Sequence, residues 1–143
     1  MRTRLLPLAL LLAACASGGG RPASIARPGI DIVVRDTLYM DRSGTGPLTV
    51  EVHVRNDGTQ PVVVRRVRVQ SWAMTEYAIV PAEKIVRVTV APNETQTIIV
   101  DATGYRKVSQ RTLNEPLTLR ALVDFEAGGK AFREIYTDNS VFE

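Results

Sequence analysis

Leu48-Thr49-Val50-Glu51-Val52-His53-Val54-Arg55, then Asn56-Asp57-Gly58-Thr59-Gln60, then Pro61-Val62-Val63-Val64 is the passage that decides the fold. Leu48, Val50, Val52 and Val54 alternate strictly with Thr49, Glu51, His53 and Arg55. A period of two puts the apolar set on one face of a half-buried antiparallel strand and the polar set on the other. Asp57-Gly58 supplies residue types that take positive φ, so a tight hairpin is expected between this strand and the next. In that next strand, Pro61 to Trp72, the phase slips: Val62 and Val64 share one parity, Val67 and Val69 the other. A β-bulge around Arg65 and Arg66 returns both pairs to the core side.

Working outward, Ile30, Ile32 and Val34 form an earlier alternation. Residues 73–83 are less regular and broken by Pro81; strands are expected over 84–90 and 96–102 with a turn at 91–95 between them. Residues 103–116 lack an apolar period and read as a long loop. Leu117, Leu119, Ala121, Val123 and Phe125 alternate with polar neighbours, and Gly128-Gly129 turns this strand into a last one at 131–136. Seven short strands with no helical period longer than a turn predict an all-β, seven-stranded antiparallel sandwich. The turn patterns Val-Arg-Asn-Asp-Gly-Thr-Gln-Pro-Val and Ala-Pro-Asn-Glu-Thr resemble those of Ig-like and fibronectin III-like bacterial sandwiches. The cell-adhesion-related bacterial domain and the late-embryogenesis-abundant type 2 domain are the nearest in kind. This resemblance, over residues 29–136, implies an Ig-like sandwich, without the inter-sheet disulfide that a single cysteine cannot make. It implies little about function.

At the N-terminus, Arg2 and Arg4 precede an apolar run of ten residues, Leu5 to Ala14, which suits a secretory signal and is too short to span a bilayer. Leu12-Ala13-Ala14-Cys15 resembles the lipobox of bacterial lipoproteins. The resemblance implies removal of residues 1–14, a diacylglyceryl group on Cys15 and two or three acyl chains of the palmitate type, enough for stable attachment to membrane lipid. Ala16 and Ser17 after the cysteine, with no aspartate, favour the outer membrane in a two-membrane cell. Residues 15–28, rich in Gly, Ala, Ser and Pro, read as a flexible tether, leaving 29–143 as the domain.

Signal removal also settles the charge. Of 18 basic residues Arg2 and Arg4 leave, so 16 face 15 acidic ones and the mature chain is nearly neutral. Neither a nucleic-acid partner nor a general affinity for anionic lipid follows from that balance.

Candidate chemistry is sparse. His53, the only histidine, falls on the polar face beside Glu51 and Arg55, and no Gly-x-Ser-x-Gly elbow accompanies it. Asp36, Asp41 and Asp57 lack the dense spacing of a calcium loop and read as turn residues. Arg65, Arg66 and Arg68 form a basic stretch able to grip an anionic glycan, although a solvated face paired with acids such as Glu51 explains them as simply. Trp72 and Tyr77, flanking Met74, suit either a ligand platform or closure of one end of the core, the latter being favoured.

No metal, cofactor or enzymatic activity is therefore expected. The expected function is a lipid-anchored module that binds or braces an envelope protein or glycan; the alternatives are an envelope enzyme or its accessory subunit, and a structural spacer. Because successive antiparallel strands reverse direction, connections 40–47, 73–83 and 103–116 should lie away from the membrane, and 56–60, 91–95 and 127–130 towards it. Tyr77, Tyr105, Arg106, Lys107 and Arg111 are then the candidate partner contacts. An extra strand at 76–80 would break the alternation.

Overall fold

The computed structural model describes residues 19–35, 41–72, 77–106 and 117–140, with residues 139 and 140 described through their backbone alone. Eight strands appear: β1 (Gly29–Val34), β2 (Thr45–Arg55), β3 (Val62–Ser71), β4 (Tyr77–Val80), β5 (Ala82–Val90), β6 (Thr95–Arg106), β7 (Leu117–Ala127) and β8 (Lys130–Ser140). They form two antiparallel sheets, sheet A in the order β1-β2-β6-β4 and sheet B in the order β5-β3-β7-β8. Lettered along the chain, β1, β2 and β6 stand where A, B and E stand in an immunoglobulin-like sandwich, and β3, β7 and β8 where C, F and G stand.

The alternation at 48–55 does what its period requires. Leu48, Val50, Val52 and Val54 are buried in the core that the two sheets share, together with Val62, Val64, Val67 and Val69 of β3. Both valine pairs reach that core because the register of β3 shifts between Val64 and Arg66 against each neighbour, the bulge that the slipped phase calls for. Phe125 and Phe132 stack with centroids 5.3 Å apart and fill the space under β7 and β8.

The connection after β2 is not a hairpin. β2 and β3 belong to different sheets, and Gly58 does not take a positive φ. Asn56 shapes the arch instead: its side-chain oxygen accepts the Gly58 N–H at 3.0 Å, while its amide donates to the carbonyls of Gln60 and Val90. The hairpin chemistry appears at Gly128-Gly129, where both residues have positive φ and join the paired strands β7 and β8.

Eight strands rather than seven arise because the irregular stretch before Pro81 contains β4. β4 pairs antiparallel to β6 and β5 antiparallel to β3, so the chain crosses from sheet A to sheet B at Pro81 without reversing. Proline suits the crossing, having no N–H to leave unpaired there. The alternation of ends survives the added strand. Residues 35–44, 72–76 and 107–116 connect strands at one end, and 56–61, 91–94 and 128–129 at the other. Residues 103–106, expected in a loop, instead extend β6, where β4 gives their backbone a second partner.

A further correction concerns the tether. Within the described part of 15–28, the chain is strapped to the sandwich. Ile25 is 5% exposed and joins the core. Arg21 and Arg27 both reach Glu134 of β8, at 3.0 and 3.1 Å, and Tyr136 donates its hydroxyl proton to the Pro28 carbonyl at 2.7 Å. Gly and Ser make the stretch look unstructured, but one buried isoleucine and two arginines opposite an acid outweigh the composition. This strap lies by β1 and β8, at the end where the tight turns cluster.

Candidate functional site

The end of sheet A where β4 pairs with β6 brings together three of the expected contacts. Tyr77 stands opposite Arg106 across β4 and β6, and Tyr105 lies between Ala78 and Thr45. The Arg106 N–H donates to Gly44, whose φ of 77° turns the chain beside it. Tyr77 packs against the core, so part of its role is closure. Lys107, Arg111 and Cys15, the expected lipid attachment site, lie outside the described residues, as do Met74 and Asp36.

Trp72 goes the other way. It is 54% exposed, on the outer side of sheet B, and does not close the core. The bulge sets this: beyond it Val67 and Val69 point inward, so Arg66, Arg68, Gln70 and then Trp72 point out. The Trp72 N–H continues the ladder by donating to Thr118 at 2.9 Å, and the Arg120 guanidinium lies over the indole face. Arg120 stands opposite Gln70 on one side and Thr137 on the other. Sequence reasoning singles out Trp72 and Arg68 and misses Arg120. Its outward parity on β7 is readable, but not its pairing with a strand some fifty residues away.

The arginine stretch meets acids on both neighbouring strands. Asp124 receives Arg66 at 2.6 Å and Arg133 at 2.5 Å, and Arg65 reaches Glu126 at 3.4 Å. Hydrogen bonds from Arg133, then from Arg66, hold the Asp124 carboxyl below the usual aspartate range. Glu51, the expected partner, lies in the other sheet, where Arg35 at 2.8 Å and His53 at 3.0 Å engage it and lower its pKa, Arg35 contributing most. Glu83 stands opposite Arg68 in register but is bridged by Arg66 at 3.8 Å, the Arg120 guanidinium rests on Trp72, and the buried Nε of Arg120 has no hydrogen-bond acceptor. Half-buried Leu122 lines a shallow groove of about 130 Å³ together with Arg66, Arg68, Glu83, Asp124 and Arg133. A groove this size is smaller than the clefts that enclose small molecules.

Elsewhere the candidate chemistry is taken up locally. The Asp41 carboxylate accepts hydrogen bonds from Ser43 and Thr45, which lower its pKa, while Asp57 receives Arg55 at 2.9 Å at the opposite end of the sandwich. The two aspartates do not converge.

No protein-family model and no curated protein matches the chain. Among solved structures it resembles SoR45, a Northeast Structural Genomics Consortium target, at 9% identity and a TM-score of 0.53 over 80% of this chain and 85% of that one. Weaker likenesses are to a protein from Archaeoglobus fulgidus (14% identity, TM-score 0.45, 78% and 92% covered) and a FixG-related protein from Vibrio parahaemolyticus (9%, 0.39, 83% and 99%). At such identities what the first match shares is the fold.

Proposed function

We propose that the protein is an exported lipoprotein, acylated at Cys15, whose sandwich is a non-enzymatic module that binds or braces another component of the cell envelope. The observation that carries this reading is the strap. With Arg21 fixed to Glu134, the six residues of chain from the anchor span at most about 20 Å. An acylated Cys15 therefore holds the strap end of the sandwich against the membrane, the outer one in a two-membrane cell, and turns the opposite end and its arginine-tryptophan face outward. The lipobox resemblance supports the anchor, and an exposed Trp beside a local excess of arginines supports docking, since these side chains dominate binding energy at interfaces.

Mass spectrometry of the protein from native membranes tests the anchor. The expected result is an acylated Cys15 as first residue; an intact Met1 or a free thiol ends the proposal. A photo-crosslinker at Gln70 tests the docking face. A reproducible envelope partner supports binding, none supports a spacer, and a saturable activity lost in His53→Ala reinstates an enzyme.

A further inference from the structure

We infer that the distal half of sheet B's outer face, Arg68, Gln70, Trp72, Arg120 and Thr137, is a binding site for an acidic polysaccharide carrying carboxylated sugars. The inference rests on the binding-module reading and names its ligand class. The first argument is charge. On this face Glu83, Asp124 and Glu126 engage Arg65, Arg66 and Arg133, and Glu83 also stands opposite Arg68 in register; with Arg68 and Arg120 these are five guanidiniums against three carboxylates, a local cationic excess, although the mature chain as a whole is nearly neutral. A guanidinium in excess of the local acids offers a bidentate fork to a carboxylate.

The second argument is shape. Trp72 is 54% exposed with the Arg120 guanidinium over one face of its indole, and the exposed remainder of the ring is an apolar surface suited to the C–H face of a pyranose ring. Gln70 and Thr137, opposite Arg120 in register, add an amide and a hydroxyl able to bond ring hydroxyls. From Arg68 to Trp72 the row runs about 13 Å along the strand, long enough for several sugar rings.

The third argument separates a glycan from a peptide. β3 and β7 are the two inner strands of sheet B, so their backbone groups are used within the sheet. An extended peptide draws its affinity from an open sheet edge, or from deep pockets, and this face offers neither. A flat face reading charge, stacking and hydroxyls fits a polysaccharide chain.

Trp72 is the only tryptophan in the chain, so intrinsic fluorescence reports on the site directly. The acylated full-length protein in detergent micelles is titrated with oligogalacturonate, with neutral cello-oligosaccharides and with polyglutamate. Oligogalacturonate should give a saturable change in emission, and the neutral sugar none. Arg68→Gln should weaken binding by about tenfold, the loss of one charge-assisted contact. Trp72→Ala, followed by calorimetry, should abolish binding with the melting temperature unchanged. No response to oligogalacturonate, an equal response to the neutral sugar, or binding that survives both substitutions overturns the inference. Tighter binding of polyglutamate replaces the glycan with an acidic peptide. If oligogalacturonate fails while the crosslinker at Gln70 still captures an envelope partner, the binding-module reading stands and only the glycan falls.

Discussion

Asn56 joins more of the molecule than its place between β2 and β3 suggests. Its side chain is 1% exposed and spans the arch at 56–60 and the end of β5, while its backbone exchanges hydrogen bonds with Glu94 and Asn93. Asn56→Ala strands two carbonyls and one N–H, and a loss of about 2 to 3 kcal/mol in denaturant unfolding is expected. On the same strand Val52→Ala should cost about 2 kcal/mol, whereas His53→Ala, on the outer face, should stay within about 0.5 kcal/mol. A reversal of those two costs would mean that the strand phase is wrong. Asp124 gives a pH signature. Its folded pKa lies below the unfolded value of about 3.9, so its contribution is present at neutral pH and is lost as pH falls below about 4 towards the folded value. Asp124→Asn should therefore lower the melting temperature at pH 7 and flatten part of the acid limb. The inward and outward residues of β2 and β7 are legible from period alone. Asn56 is not, because its side-chain partners sit up to 34 residues away and a turn asparagine looks the same whether or not it reaches them.

Edges explain what the strand pattern leaves open. β4 covers only Thr103–Arg106 of β6, so Thr95 to Ala102 has β2 as its one strand partner and faces the outer edge of β5. Lys84 sits at an inward position of β5, and its ammonium donates to the Ile99 carbonyl at 2.8 Å. A charge pointing inward on an edge strand discourages pairing with another chain, which matters here because neighbouring Ile85 is 78% exposed. Lys84→Val should leave the fold intact and raise concentration-dependent association in light scattering; an unchanged monomer would show that Lys84 guards nothing. The valine alternation of β5 is legible in the order of its residues, and so is the bulge in β3. The four-residue β4 is not: a strand that short carries barely one period, and its existence depends on the crossing at Pro81 and on a free stretch of β6 to pair with.

For the whole molecule, the strap would convert the proposed lipid anchor into an orientation. Composition hides it, since Gly, Ala, Ser and Pro dominate residues 16–28, and only contacts more than a hundred residues distant in sequence reveal that Arg21, Arg27 and Pro28 are held. Burial pushes the Tyr136 hydroxyl up to about 12. The contribution of this hydroxyl to stability is therefore fully present below about pH 10 and is lost as pH rises through the interval up to the folded value. Tyr136→Phe should remove that alkaline step and speed amide exchange in residues 21–28. The orientation itself follows from direction alone: β1 leaves the strap, β4 and β5 share one heading, and every other successive strand reverses. Under the proposed acylation of Cys15, the turns at 56–61, 91–94 and 128–129 would face the lipid and the longer connections would face away. If Cys15 is consumed by acylation as proposed, a single new cysteine can carry a fluorophore at either end of the acylated protein in vesicles containing an acceptor lipid. Asp57→Cys should transfer energy to the acceptor more efficiently than Ser43→Cys. Truncating the strap contacts with Arg21→Ala and Arg27→Ala should narrow the difference, because the sandwich is then free to tumble on its leash. Equal transfer from the two labels in the parent, or stronger transfer from Ser43→Cys, would mean that the strap does not set which end meets the membrane.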